Sequence, residues 1–82
     1  MSLKENVKNY ILGSNSEVSI DELYSWLEIV NRRRYTYFGK MYKQSQLERD
    51  LRHLTKQGYI TPCKRDNGTI KGYTKNAPEA HF

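Results

Sequence analysis

Ser45-Gln46-Leu47-Glu48-Arg49-Asp50-Leu51-Arg52-His53-Leu54-Thr55-Lys56-Gln57-Gly58-Tyr59-Ile60 is the stretch that decides the fold. Leu47, Leu51 and Leu54 recur at i, i+4 and i+7, which puts them on one face of a helix. Lys56 lies in the last turn, and Gly58 is a natural residue to follow a helix end. The spacing predicts a helix over 45–57. Its other face carries Gln46, Arg49, His53 and Lys56, with Arg52 at the flank. Downstream, Tyr59 to Lys64 reads as a strand, and Pro62 suggests an edge position. Asp66-Asn67-Gly68 holds the Asn-Gly pair that suits a type I′ hairpin turn. Thr69 to Thr74 returns, so a hairpin is expected over 59–75, followed by a loose tail at 76–82.

Upstream, Ser2 and Glu5 form a capping-box pattern, S-x-x-E, ahead of Leu3, Val7, Tyr10 and Ile11 at helical spacing. A first helix is expected over 3–12, with Gly13 as its stop. Glu17-Val18-Ser19-Ile20 alternates and suggests one β-bridge of extended chain. Ser19 and Glu22 repeat the capping box, and Asp21 and Glu22 suit the positive end of a helix dipole. Leu23, Trp26, Leu27 and Val30 make the stripe of a second helix over 20–31, with Trp26 read as core and Tyr24 off the stripe. Residues 31–43, rich in aromatics with Thr36, read as a long, basic, aromatic loop with room for a small hairpin.

The chain has 82 residues, enough for one domain. Fourteen Lys+Arg against nine Asp+Glu give a formal charge of +5 and a pI near 9.4. Residues 1–30 sum to −3 and residues 31–82 to +8, so the positive excess lies wholly in the second half. That asymmetry suits a polyanion-binding face, and it equally suits solubility. No run approaches the roughly 18 to 20 apolar residues of a membrane span, and no apolar signal-type region follows the start. Cys63 is the single cysteine, so neither an internal disulfide nor a cysteine zinc cage is expected, and the reading is a cytoplasmic protein of a reducing compartment. His53, His81 and Cys63 lack metal-ligand spacing. No Gly-rich phosphate loop, H-E-x-x-H or G-x-S-x-G is present. The expectation is a binding protein without cofactor, metal, membrane partner or small-molecule ligand, and not an enzyme.

Three helices, a glycine and a hairpin resemble a winged helix–turn–helix domain, with 45–60 similar to recognition helices of that superfamily and Val18-Ser19-Ile20-Asp21-Glu22-Leu23 similar to the entry that precedes them. The resemblance covers about residues 2–75. It implies an α+β, mostly α, three-helix domain over 1–75 with a C-terminal two-stranded hairpin as wing. It also implies a small transcriptional or replication regulator of bacterial, plasmid or phage type that binds specific double-stranded DNA sequences. Two departures stand out. The superfamily joins its second and third helices by a few residues, whereas 31–44 intervene here, and Asp50 stands where an apolar residue is usual.

In that geometry the third helix enters the major groove. Lys43, Gln44, Ser45, Gln46 and Arg49 would reach base edges, with Arg52 and His53 further along. Glutamine matches the N6/N7 edge of adenine, and the planar fork of arginine matches O6 and N7 of guanine. Lys64, Arg65 and Lys71 on the wing would touch phosphates, which position a protein without reading sequence; the same lysines would also guard an edge strand against aggregation. Arg32, Arg33 and Arg34, followed by Tyr35, Tyr37 and Tyr42, interleave charge with rings. They suit phosphate contact or stacking on unpaired bases, or else tyrosines that close the core beneath solvated arginines. Two other readings stay open: a protein-interaction module, and an RNA or single-strand binder stacking bases on Tyr35 and Tyr37. A monomer is expected alone, with pairing to a second copy on DNA left open.

Overall fold

The computed structural model describes residues 2–38 and 41–76, with the side chains of 35–38 excepted. Three helices and a three-stranded antiparallel sheet follow in the order α1 (Leu3–Leu12), β1 (Val18–Ser19), α2 (Ile20–Phe38), α3 (Gln44–Lys56), β2 (Ile60–Lys64) and β3 (Ile70–Lys75). β3 is central, flanked by β1 and β2.

Local chemistry fixes the helix starts. The Ser2 hydroxyl accepts the Glu5 N–H at 3.2 Å, and the Ser19 hydroxyl accepts the Glu22 N–H at 3.0 Å. Each satisfies a donor that a helix start leaves without an intrahelical partner. α3 begins one residue earlier than its sequence suggests. Gln46 Oε1 accepts the Lys43 N–H at 2.7 Å, so the cap residue is Lys43 and Ser45 lies within the first turn.

The core gathers one stripe from each element: Leu3, Val7 and Ile11 from α1, Val18 from β1, Leu23 and Leu27 from α2, Leu47, Leu51 and Leu54 from α3, Ile60 from β2 and Tyr73 from β3. Trp26 is half-buried against this cluster, its ring centroid 5.4 Å from that of Tyr10. Tyr24, off the expected stripe, also packs against the core, and its hydroxyl donates to Glu48 Oε1 at 2.9 Å. It thereby ties α2 to α3.

Residues 31–38 are helix, not loop. The β-preference of the tyrosines and Thr36 loses to three consecutive arginines, which are good helix formers. Adding residues to an existing helix is also far easier than starting a new one. Two nonlocal contacts hold the extension. The Asn31 amide donates to the Tyr42 carbonyl at 3.0 Å and accepts the Tyr42 N–H at 2.8 Å. The Arg34 guanidinium lies 4.3 Å from the centre of the Tyr42 ring. The connection from α2 to α3 is therefore only residues 39–43.

The hairpin turn also departs from expectation. Among the described residues positive φ occurs only at Gly58 and Gly68, so Asn67 does not supply the positive φ that a type I′ turn needs. The Gly68 N–H donates to the Arg65 carbonyl at 2.9 Å, and Gly68 itself has φ 86°. This is the three-residue loop in which a β-turn is followed by a left-handed glycine. A register shift between Cys63 and Lys64 leaves Lys71 unmatched, a bulge in β3. Asn76, expected in the loose tail, instead closes the hairpin base. Its N–H donates to the Tyr59 carbonyl at 3.1 Å, and its side chain bonds the Gly58 carbonyl and the Thr61 hydroxyl. Residues 77–82 of the expected tail lie outside the described residues.

Gly72 is the point of closest approach in the sheet. A Cβ there would sit 2.6 Å from the Val18 carbonyl oxygen and 3.1 Å from the Glu17 side chain. Gly72→Ala is expected to lever β1 off β3 and lower stability by about 1–3 kcal/mol. A urea titration checks this, together with faster amide exchange at the β1–β3 pairing; an unchanged midpoint would refute the close-packing account.

Candidate nucleic-acid interface

Because Leu47, Leu51 and Leu54 are buried, the opposite side of α3 is fixed by helix geometry. Ser45, Arg49, Arg52 and Lys56 lie along it, and all four are exposed. Arg52 thus moves from the flank to the outward row, where Arg49 and Lys56 stand as expected. Gln46 and His53 fall to one side. Gln46 is half-buried, and its carbonyl oxygen is committed to the helix cap. Lys43 and Gln44 are exposed at the helix start.

The basic residues on either side of α3 connect to it through intermediates. Arg34 stacks on Tyr42. Tyr42 shares a cleft with Arg49, Gln46, Asp50 and the start of α1, about 480 Å³ in volume. Half-buried Asp50 faces this cleft and joins no ion pair among the described residues. On the far side, Arg52 and Ile70 line one cavity. Within the hairpin, the Arg65 guanidinium reaches the Ile70 carbonyl at 3.5 Å. Lys64 and Arg65 are exposed there. Lys71 is exposed as well, and its ammonium lies 4.0 Å from the Glu17 carboxylate. Arg32 and Arg33 are exposed on the extended half of α2. The proposed stacking of Tyr35 and Tyr37 lies outside the described side chains.

Several acids are engaged away from these arginines. Glu5 pairs with Lys8 at 3.1 Å and Glu17 with Lys71. Glu22 accepts the Tyr10 hydroxyl at 2.6 Å, as Glu48 accepts that of Tyr24. Each hydrogen bond, reinforced by burial, holds its phenol above the ordinary tyrosine range. Burial does the same for Tyr73. Cys63 is raised by burial first and by the Glu17 carboxylate second, so its thiol is kept protonated and poorly nucleophilic.

Among the described residues no group of acids, histidines and cysteine is placed to hold a metal, and no helix is long and apolar enough to cross a membrane. No protein family, curated protein or solved structure matches the chain.

The raised phenols couple to stability with a defined sign. A folded-state value above the unfolded one stabilises fully below the unfolded value, about pH 10, and that stabilisation is lost as pH rises through the folded values. The tyrosinate absorbance of the folded chain is therefore expected to lag that of the urea-unfolded chain above about pH 10. Tyr10→Phe with Tyr24→Phe should remove part of the lag; coincident titrations would contradict the two phenol–carboxylate bonds.

Proposed function

We propose that the chain is a winged helix–turn–helix protein that binds specific double-stranded DNA sequences as a small transcriptional or replication regulator. The observation that carries this reading is the outward row of α3, Ser45, Arg49, Arg52 and Lys56, exposed along the side opposite three buried leucines. A helix of this kind fits the width of the major groove, and arginine is the residue best shaped to read guanine there. The short connection 39–43 supports the assignment of α2 and α3 as the helix–turn–helix pair. The hairpin β2–β3, with Lys64 and Arg65 near its tip, takes the part of the wing.

In this mechanism the basic surface supplies most of the affinity by releasing counterions from phosphates. Lys64 and Arg65 on one side and Arg32, Arg33 and Arg34 on the other set the register of α3 on the duplex. Arg49 and Arg52 then read base edges, while Gln46 contributes through its amide nitrogen, because its oxygen is held at the cap. Gln44 and Ser45 approach the groove from the helix start. A protein-interaction surface would present acidic or apolar side chains outward on α3, and the cationic row disfavours that alternative.

Fluorescence anisotropy with a random duplex, from about 50 to 200 mM salt, tests the electrostatic part: with about six phosphates neutralised, affinity falls roughly a thousandfold. Arg65→Ala should weaken binding to all duplexes alike and flatten the salt slope. Arg49→Ala should cost about 1–3 kcal/mol on a selected site and little on random DNA. Absence of duplex binding at low salt would sink the reading.

A further inference from the structure

The cavity between α2, α3 and β3 is separate in character from the basic row beside it. Its volume is about 290 Å³, at the small end of the range for small-molecule pockets. The floor is apolar: Leu23, Leu47 and Leu51 are almost wholly buried, and Ile70, 36% exposed, forms a wall. Four polar groups stand around it, Tyr24, Glu48, Arg52 and Tyr73. Glu48 and Arg52 are one helical turn apart on α3, yet they make no ion pair with each other among the described residues. Glu48 turns one oxygen to the Tyr24 hydroxyl instead. The Arg52 guanidinium and the Tyr73 hydroxyl have no protein hydrogen-bond acceptor among the described residues.

An apolar floor with one cationic and one anionic group at its edge is complementary to a ligand that carries both charges beside a compact apolar body. We propose that this cavity binds a free amino acid with an apolar side chain, its ammonium on Glu48 and its carboxylate on Arg52 and Tyr73. The side chain enters over Leu23, Leu47 and Leu51, and Ile70 covers it from the hairpin. A carboxylate alone would leave Glu48 opposing it; an amine alone would face Arg52. A domain of this length has no room for a large effector, and the cavity holds about one side chain of leucine or phenylalanine size. The Tyr24 hydroxyl is committed to Glu48 and holds that carboxylate at the cavity edge, which leaves the Tyr73 hydroxyl as the phenol donor facing the ligand.

The assignment shares Arg52 with the proposed DNA-facing row, and it is tested without DNA. The amide spectrum of the full ¹⁵N-labelled chain is recorded against L-phenylalanine, L-leucine, 3-phenylpropanoate and phenethylamine. Saturable shifts are expected for one or both amino acids at Leu23, Glu48, Arg52, Ile70 and Tyr73, with a dissociation constant on the order of 1 mM or below. The two singly charged analogues should bind at least about tenfold more weakly, because each leaves one edge charge unmatched. Glu48→Gln and Arg52→Gln should each weaken the amino acid by a similar factor while the dispersed spectrum shows the fold intact. No saturable shift at this cluster overturns the proposal. So does equal binding of 3-phenylpropanoate, or affinity unchanged in both variants.

Discussion

Burial of Leu47, Leu51 and Leu54 along one side of α3 is the constraint on which the rest of the molecule hangs. Those three side chains meet the stripes of α1, α2 and the sheet in a single cluster. Their burial stops α3 from rotating about its axis, and the rotation of α3 decides which residues face outward. A helix turned by one residue would bring Asp50 outward and bury a charged neighbour. The apolar row and the cationic row are therefore one decision made by the same spacing. What the helix can touch is set by what it hides.

A chain that is only 37% apolar must build its interior from few residues, and tyrosines widen the supply. Tyr10, Tyr24, Tyr42 and Tyr73 lend their rings to the core or its margin. The hydroxyls of Tyr10 and Tyr24 then bind carboxylates on neighbouring helices, Glu22 and Glu48. The carboxylates keep their charge in these bonds, so each phenol joins two helices without altering the +5 balance of the chain.

How much of this was legible in the sequence depends on how local each cause is. The starts of α1 and α2 were legible because Ser2 and Ser19 act within three residues. α3 was legible because its period is regular, and the strands because Gly58 and Gly68 mark their limits. The end of α2 was not, since the propensities of Tyr35, Thr36 and Tyr37 oppose the helix and the support comes from Asn31 and Arg34 acting on Tyr42. The turn type failed because Asn-Gly fits two hairpin geometries, and only the strand register selects between them. Tyr24 was misplaced for want of its partner Glu48, which lies 24 positions away. For the candidate interface, Arg49 and the wing tip were legible from charge and spacing. The move of Arg52 to the outward row, the commitment of Gln46 to the cap and the proximity of Lys71 to Glu17 all required the fold.

The paired hydrogen bonds between Asn31 and the Tyr42 backbone have a consequence for the mechanics of the domain. An amide that donates to a carbonyl and accepts from the N–H of the same residue fixes that residue in two directions at once, as a neighbouring strand would. The residue so held stands immediately before the cap of α3. α3 is thus pinned to α2 at its start by one side chain, as well as along its length by its buried leucines.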